Sequence, residues 1–330
     1  MSDQKRRWLI IVSFAAIYLI WGSTYLGISV AIQTIPGWLM IAIRFLIAGS
    51  IMFVIARLSG AKMPTRVGLR TAAIVGVLLL VGGNGGVVWA EQKLASGLTA
   101  LIVAIIPLWV SSIDAVRPGG NPLTGRRILG LVLGLTGLVI LIGPDQIMGT
   151  GHIDILSVGV LMLGTFAWSF GTVYPRMKGA QLPASPLMAA ATENLTAGVV
   201  VAVIAFATGQ LQSFNPAAVS LESWLALAYL TAFGSVVAFT AYMYLVSAVA
   251  PSRVATYAYV NPVVAMILGS LILREPITIP MLVAAPIIIS GVVLINTSKS
   301  KAAVAAPQPA AEPAGLELRA RPTEAVIAEK

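Results

Sequence analysis

The chain has 330 residues, 58% of them hydrophobic and only 10% charged, and its mean hydropathy is +0.92. Soluble domains carry about 25% charged residues, so this composition excludes an ordinary soluble protein and indicates an integral membrane protein. The net charge of +9 is spread over alternate loops instead of one continuous patch, which argues against nucleic-acid binding. The absence of cysteine excludes disulfide bonds, thiol catalysis and sulfur-ligated metals.

Ten apolar stretches follow one another along the chain, and each is close to the roughly 20 residues that a helix needs to cross the hydrocarbon core. Lipid offers no hydrogen-bond partner to an open sheet edge, so we predict that all ten are helices and that the fold is all-α. The predicted spans are residues 8–30, 37–58, 69–91, 94–113, 127–143, 155–175, 187–208, 222–247, 252–273 and 279–297.

The basic residues predict the orientation of these spans. Fifteen Lys and Arg residues fall in the two terminal segments and the loops on the same side, whereas only Lys93 and Arg274 fall in loops on the other side. Because short cytoplasmic loops retain Lys and Arg, both termini are predicted to be cytoplasmic. Residues 300–330 are rich in Ala and Pro and bury too little apolar surface to fold, so we expect a disordered cytoplasmic tail there.

Aromatic residues form a stripe on the first predicted helix, where Tyr18, Trp21 and Tyr25 follow the spacing i, i+3 and i+7. Trp168 holds the position on the sixth span that corresponds to Trp21. Both tryptophans are candidates for lining a pocket, with core packing as the alternative. Three further aromatic residues lie near span ends and are interpreted as anchors at the membrane interface: Trp89, Tyr242 and Tyr244.

Two charged residues lie deepest within the spans, Arg44 in the second and Glu193 in the seventh. A charge at the bilayer centre costs about 2.5–3.5 kcal/mol on insertion scales, so neither should face lipid. At roughly 1.5 Å per residue their depths differ by on the order of 10 Å, which favours two separate pathway residues over an ion pair. Arg44 would attract a substrate carboxylate or bond to backbone carbonyls; Glu193 would bind a proton or a cationic group, or have a structural role.

Asn84 lies near the middle of the third span, within the sequence GGNGG at residues 82–86. Four glycines around a buried amide allow a close approach of backbone, by a neighbouring helix or by a ligand. Glycine also weakens a helix, so local unwinding at this point would expose backbone groups. We therefore regard Asn84 as a candidate binding residue, with helix packing as the alternative.

Prolines occupy corresponding positions in the fourth and ninth spans, at Pro107 and Pro262. Proline has no N–H and leaves a carbonyl one turn earlier without its bond, so we expect a kink or hinge at both. Asn261 precedes Pro262, and Tyr257 lies four residues earlier on the same helix face. Tyr257 and Asn261 are therefore candidate binding residues.

The prolines are part of a wider internal repeat. RFLIAG at residues 44–49 matches ENLTAG at 193–198, and LTGLVILI at 135–142 matches ISGVVLIN at 289–296, at offsets of 149 and 154 residues. Matched points in the same order at nearly constant offset indicate duplication of a five-helix unit. Because five is odd, the second copy is inverted across the membrane, which is typical of secondary transporters with a central cavity.

We therefore predict two inverted five-helix repeats, residues 1–150 and 151–299, followed by the tail. Gly130, Gly134 and Gly137 form a small-residue surface on the fifth span. This surface would either join two chains into a homodimer or contact the tenth span within one chain.

The repeated layout resembles the EamA family of the drug/metabolite transporter superfamily over roughly residues 8–297. Four segments carry the resemblance: WGSTY at 21–25, Arg44 with Phe45, AYMYL at 241–245, and YAYVNPVVAMILGSLILREPIT at 257–278. It implies alternating-access export of small metabolites, amino acids frequent among them, across a bacterial inner membrane. It also implies a path lined by helices one, three, four, six, eight and nine.

The chain departs from the family pattern after the ninth span. The family typically carries Leu-Gly-Glu there, whereas this chain has Arg274 in place of the glycine and keeps Glu275. The first repeat has SSIDAVRPGG at 111–120 instead. If the glutamate has a structural role, only the second copy can perform it.

Other classes of function fit less well. The single histidine, His152, lies in a predicted loop, and the spans contain no nucleotide-binding motif and no metal-ligand pair, so we expect no enzyme, no catalytic residues, no metal and no cofactor. A receptor or scaffold would not require inverted duplication. Proton-coupled multidrug efflux stays open as an alternative to metabolite export. The expected partners are a small-molecule substrate, the lipid bilayer and, for a coupled carrier, protons, with the chain a monomer or a homodimer.

Overall fold

The computed structural model describes residues 3–120, 122–142, 153–177, 179–249, 254 and 256–297. The regular secondary structure of this part of the chain is helical throughout, and Met1–Ser298 form one compact unit. The predicted tail at 300–330 and His152 lie outside the described residues. The division into repeats 1–150 and 151–299 stays a prediction.

The described residues of the first half contain seven α-helices and one π-helix. The α-helices are α1 (Asp3–Ala31), α2 (Gly37–Leu58), α3 (Arg66–Gly76), α4 (Gly85–Ala90), α5 (Ser96–Val103), α6 (Ile106–Val116) and α7 (Gly125–Ile142). The first π-helix, Val77–Asn84, joins α3 to α4, so these three elements form one continuous span. A short turn at Ala104 and Ile105 separates α5 from α6, which together form the next span.

The described second half contains six α-helices, a second π-helix and two short 3₁₀ helices. The α-helices are α8 (Ile155–Val173), α9 (Pro186–Ala207), α10 (Leu221–Tyr229), α11 (Phe239–Ala248), α12 (Tyr257–Leu273) and α13 (Ile279–Asn296). The second π-helix, Leu230–Ala238, joins α10 to α11. The 3₁₀ helices are Tyr174–Arg176 and Pro216–Ala218.

Each of the ten predicted spans contains helix, and eight of the helical segments are long and apolar enough to cross a membrane. The last two are apolar but shorter, Val260–Leu273 and Ile279–Ile295. The all-helical membrane fold is therefore confirmed, while a count of ten crossings stays a prediction. The two π-helices occupy corresponding places in the two halves, since they begin 153 residues apart.

Corresponding helices of the two halves pack directly on each other. The repeated segment of α2 lies against the repeated segment of α9, where a Cβ atom on Gly49 would lie only 2.8 Å from the Leu195 backbone nitrogen. A Cβ atom on Gly198 would likewise lie 3.0 Å from the Leu46 backbone nitrogen. Small residues let helix backbones approach closely, which in lipid replaces the hydrophobic effect as the source of association.

The fifth and tenth spans meet in the same way. A Cβ atom on Gly130 would lie 2.6 Å from the Gly291 carbonyl oxygen, and one on Gly291 would lie 2.6 Å from that of Gly130. A Cβ atom on Gly137 would lie 2.6 Å from the Ile288 Cγ1. The small-residue surface of α7 is thus buried against α13, which is the contact within one chain that the second alternative predicts, and the choice between monomer and homodimer stays a prediction.

We predict that Gly49→Val lowers the free energy of unfolding by about 1–3 kcal/mol, because the added methyl groups would force α2 away from α9. Equilibrium unfolding of the purified protein in mixed micelles measures the change. Gly159→Val is the matched control, since a Cβ atom on Gly159 meets nothing within 4 Å. Equal losses in the two variants would contradict close packing at Gly49.

Candidate functional site

A cavity lies among the helices of the described part of the chain, and the space free of protein atoms within it and at its opening is about 730 Å³. Concave sites lined by apolar and aromatic side chains with a few polar groups are where small molecules usually bind. All five predicted binding residues line the cavity, and these are Trp21, Asn84, Trp168, Tyr257 and Asn261. Arg44 lines it as well. The structure thus brings together side chains from both halves that are far apart in the sequence.

The lining differs in one respect from the expected set of helices. The first, third, fourth, sixth, eighth and ninth spans contribute, as expected, but α2 and α9 contribute too. Arg44 and Phe45 come from α2, and Asn194 comes from α9. The sequence predicted Arg44 as a pathway residue but did not predict Asn194. Its neighbour Glu193 was predicted instead, because it carries the charge.

Five aromatic side chains form one cluster against the cavity, the aromatic cluster of Trp21, Trp168, Phe239, Tyr242 and Tyr257. The Trp21 ring centroid lies 5.0 Å from that of Tyr242, 5.3 Å from that of Tyr257 and 6.1 Å from that of Trp168. Such separations and tilted or edge-to-face angles are favourable for aromatic pairs. Trp21 lies at the centre of the cluster and is held by a hydrogen bond from its Nε1 to the Gly234 carbonyl oxygen at 3.2 Å.

Tyr242 is not an interfacial anchor, and that interpretation of its position is wrong. Its side chain is only 5% exposed, and its ring contacts those of Trp21, Phe239 and Tyr257. The wrong interpretation arose because the residue lies near the end of a span, where tyrosines of both kinds occur. Its position one helical turn after Phe239 is the signal that could have placed it in the cluster.

Arg44 is the charged residue of the cavity lining. Its side chain is 3% exposed, and its Nε donates a hydrogen bond to the Ser235 Oγ at 2.8 Å. Its Nη1 has no hydrogen-bond partner among the described residues. The close approach to the second π-helix depends on Gly234, because a Cβ atom there would lie 3.0 Å from Arg44 Nη2. A guanidinium with a free donor beside a cavity can bind an anionic group of a ligand.

Two amide oxygens in the same lining accept no hydrogen bond in the described structure, Asn84 Oδ1 and Asn194 Oδ1. The Asn194 Nδ2 donates to the Ala190 carbonyl oxygen at 2.9 Å, which fixes the direction of the amide. Buried polar atoms are normally satisfied, so free acceptors at a cavity mark positions for a ligand or water that donates hydrogen bonds. The cavity therefore presents a free cationic donor and free neutral acceptors.

Asn261 joins two helices at the edge of the cavity. With the amide oriented so that nitrogen faces the acceptors, its Nδ2 donates to the carbonyl oxygens of Tyr257 and Tyr18, each at 3.2 Å. The Tyr18 hydroxyl lies 2.6 Å from the Thr256 Oγ1, so a second hydrogen bond joins α1 to the beginning of α12. Asn261 is thus partly committed to structure while its side chain also lines the cavity.

The two matched prolines have different surroundings, and a kink or hinge at each stays a prediction. α12 runs without interruption from Tyr257 to Leu273 with Pro262 inside it. In the fourth span the helix is interrupted instead, at Ala104 and Ile105, and Pro107 lies in the first turn of the next helix, α6. Proline is well suited to the first turn of a helix because the N–H it lacks would be unpaired there.

Glu193 lies outside the cavity lining. Its side chain is 0% exposed, and the structure forms no ion pair between it and Arg44. The contact of Gly49 with Leu195 and of Gly198 with Leu46 places the two charges on opposite sides of the crossing of α2 and α9. Both carboxylate oxygens are without a hydrogen-bond partner among the described residues.

Glu275 binds the beginning of a helix from the other half of the chain. Its carboxylate accepts hydrogen bonds from the Ser96 backbone N–H at 2.9 Å, the Ser96 hydroxyl at 2.7 Å and the Gly97 N–H at 3.3 Å. The first N–H groups of a helix have no partner within the helix, and a carboxylate there also meets the positive end of the helix dipole. Glu275 is therefore a structural residue that ties the end of α12 to α5.

A second carboxylate outside the spans has a similar role. Asp154 accepts hydrogen bonds from the Ser157 backbone N–H at 2.9 Å and the Ser157 hydroxyl at 2.5 Å, and it pairs with Lys93 at 3.1 Å. These hydrogen bonds from Ser157 and Lys93 lower the pKa of Asp154. Its contribution to stability is therefore present above the ordinary pKa of an aspartate and is lost as the pH falls through the lowered value.

We predict that Glu275→Ala lowers the free energy of unfolding by about 0.5–2 kcal/mol, the usual cost of removing a helix cap. Unfolding in mixed micelles measures the effect. Glu222→Ala is the control, since Glu222 is exposed in the first turn of α10 and the change leaves the cap of α5 intact. A change in Glu275→Ala no larger than in the control would rule out the capping role.

Arg274 explains why glycine is typical at this point of the family pattern. Its backbone is left-handed, with φ of 57°, and it ends α12. Left-handed backbone costs an L-residue about 1–2 kcal/mol relative to glycine.

We predict that Arg274→Gly raises the free energy of unfolding by about 1 kcal/mol, because glycine adopts the left-handed backbone without this cost. Equilibrium unfolding in mixed micelles measures the change, and a decrease would contradict this account.

The fold and the cavity define a class of protein, an all-helical membrane transporter. The chain belongs to the EamA-like transporter family, which it matches over residues 8–143 and 155–297. The two matched segments correspond closely to the two halves of the sequence repeat.

Individual relatives agree with this family. The uncharacterized inner membrane transporter YedA of Escherichia coli (strain K12) is 37% identical over 285 residues, which cover 86% of this chain and 89% of the relative. The uncharacterized transporter YvbV of Bacillus subtilis (strain 168) is 26% identical over 92% of this chain and 95% of its own length. A protein of known crystal structure, 18% identical, has the same fold with a TM-score of 0.60 and covers 87% of this chain and 96% of its own.

Proposed function

We propose that this protein exports small amphipathic metabolites, amino acids foremost, by alternating access through the central cavity. The observation that carries the proposal is the free Nη1 of Arg44 in a cavity that also holds free amide acceptors and the aromatic cluster. We place the protein in a bacterial inner membrane with both termini cytoplasmic. The asymmetry of basic loop residues and the inner-membrane name of the Escherichia coli relative support this location.

The chemistry of the lining matches a zwitterion that carries an apolar group. The Arg44 guanidinium suits a carboxylate, because N–H donors and carboxylate oxygens have complementary geometry and opposite charge. The free oxygens of Asn84 and Asn194 suit the N–H donors of an ammonium group. Aromatic faces suit an apolar side chain and also attract a cation.

The packing of the helices supports alternating access as the mechanism. The cavity is lined from both halves, and matched helices of the two halves contact each other at α2 and α9 and at α7 and α13. In inverted-repeat transporters the binding site lies at the interface of the repeats, and one repeat rocks against the other around it. The two π-helices border this interface at matched places, which suits segments that must adjust during such motion.

Proton-coupled multidrug efflux is the alternative within the same class. The aromatic cluster favours it, because tryptophan and tyrosine faces bind organic cations. The Arg44 guanidinium opposes it, since a cation in the cavity would meet a charge of the same sign with little screening by solvent. We therefore favour a zwitterionic substrate over a purely cationic one.

Counterflow into proteoliposomes tests the proposal directly. Vesicles loaded with an unlabelled amino acid should take up the labelled form transiently above its external level, because a carrier exchanges substrate across the membrane. L-phenylalanine, L-leucine and L-threonine form the first panel, and ethidium serves as the cationic dye. Counterflow of ethidium without that of any amino acid would favour the multidrug alternative, and counterflow of none of these probes would refute the proposal.

Arg44 provides a sharper prediction. We expect Arg44→Gln to raise the KM for L-phenylalanine by at least about 30-fold, equivalent to about 2 kcal/mol, because the carboxylate loses its charged partner. Wild-type protein should prefer L-phenylalanine over L-phenylalaninamide, and the variant should lose that preference. Kinetics of uptake into proteoliposomes measure both quantities.

Arg57→Gln is the matched control for this prediction. Arg57 lies on the same helix, is exposed, and donates a hydrogen bond to the Ala61 carbonyl oxygen at 2.6 Å. Its replacement should leave the KM and the preference for the carboxylate unchanged. An Arg44→Gln variant that keeps the wild-type preference for L-phenylalanine over its amide would exclude Arg44 as the carboxylate-binding residue.

A further inference from the structure

Glu193 is a buried acid that the cavity chemistry does not use. It lies in the middle of the first half of α9, with 0% exposure, and its two carboxylate oxygens have no hydrogen-bond partner among the described residues. The helix before the first π-helix closes over it, since a Cβ atom on Gly76 would lie 2.5 Å from the Glu193 carbonyl oxygen. Such complete enclosure without partners is unusual for a glutamate.

The surroundings decide the protonation state of this side chain. An ionised carboxylate removed from water costs several kcal/mol even after relaxation, and only a partner charge or several hydrogen bonds can offset this. Glu193 has neither, so the conformation seen here accommodates the neutral acid. A conformation that admits water to the carboxyl group would stabilise the ionised form instead.

The ionisable groups on the helices packed against α9 supply no counter-charge. On α2, Arg44 is directed to Ser235 and Arg57 is exposed. On α3, Arg66 and Arg70 are both exposed, and the first π-helix carries no ionisable residue. α11 supplies two phenols, Tyr242 and Tyr244, of which Tyr242 interacts electrostatically with Glu193. 

Tyr242 also connects Glu193 to the cavity. Its ring belongs to the aromatic cluster, at 5.0 Å from Trp21 and 6.3 Å from Tyr257, and both of these residues line the cavity. The residue after Glu193, Asn194, lines the cavity directly. Glu193 therefore lies next in sequence to a cavity-lining residue and within electrostatic range of a member of the aromatic cluster.

We propose that Glu193 is the proton-binding site that couples this transporter to a proton gradient, the aromatic cluster at Tyr242 controlling its access to water. In the closed arrangement the carboxyl group holds its proton. When the cluster parts, the O–H bond breaks, the proton passes to water and the carboxylate remains until a proton from the other side restores the acid. The coupling role rests on the proposed function, whereas the protonation of Glu193 does not.

Infrared spectroscopy tests the proton site without any substrate. Wild-type protein in lipid at neutral pH should show absorption from a protonated carboxyl group that is missing in Glu193→Gln and is shifted in heavy water. Glu222→Gln is the control, since Glu222 is exposed at the beginning of α10 and its replacement should not reduce that absorption. Spectra of wild type and Glu193→Gln with equal absorption from protonated carboxyl groups would overturn the proposal.

Transport of labelled L-phenylalanine tests the coupling. With the membrane potential clamped at zero, a gradient of one pH unit should let wild-type vesicles accumulate the amino acid about tenfold in one polarity, for one proton exchanged per amino acid. Glu193→Gln, which is close in shape to the neutral acid, should keep counterflow but accumulate nothing in either polarity. Glu193→Asp retains a carboxyl group and should retain accumulation.

The outcomes separate the two proposals. Accumulation by Glu193→Gln equal to wild type would remove Glu193 from coupling while leaving the carrier function in place. Absence of L-phenylalanine counterflow in wild type would count against an amino-acid carrier, and the infrared difference would still decide whether Glu193 holds a proton.

Discussion

The close crossing of α2 and α9 joins the two halves of the helical bundle. In lipid, helices gain little from burying apolar surface against each other, so close backbone contact must supply the association. The repeated segments provide it with Gly49 and Gly198, each of which admits the backbone of the partner helix. The same crossing places Arg44 at the cavity and Glu193 on the far side of the contact, so these two ionisable residues of one bundle have different surroundings.

The sequence predicted much of the candidate site, and the reason is physical. Polar and aromatic residues inside apolar spans cannot face lipid cheaply, so Asn84 and Asn261 had to turn inward, and the repeat then paired Trp21 with Trp168. Tyr242, Asn194 and Ser235 were missed. A helix that is apolar on every side has no hydrophobic periodicity that would distinguish a face toward the cavity from a face packed on other helices. A single uncharged polar residue on such a helix therefore does not show which face lines the cavity.

Irregular backbone was the least predictable part of the fold. Glycines hinted at an irregularity near Asn84, but the matching π-helix at Leu230–Ala238 contains a single glycine and no comparable pattern. A π-helix changes the local course of a helix so that it fits against its neighbours, and its position therefore depends on contacts with residues that are distant in sequence. A proline, in turn, does not always interrupt a helix. α12 continues through Pro262, although proline usually breaks or kinks a helix.

The hydrogen bonds of the Glu275 carboxylate with Ser96 and Gly97 have a consequence for which helices can move together. These hydrogen bonds connect α5, in the first half of the chain, to the end of α12, in the second half. A motion that separated the two halves along the sequence division would have to break these hydrogen bonds in every transport cycle. In the proposed alternating-access cycle, α5 and α12 should therefore move together, although they belong to different halves of the chain.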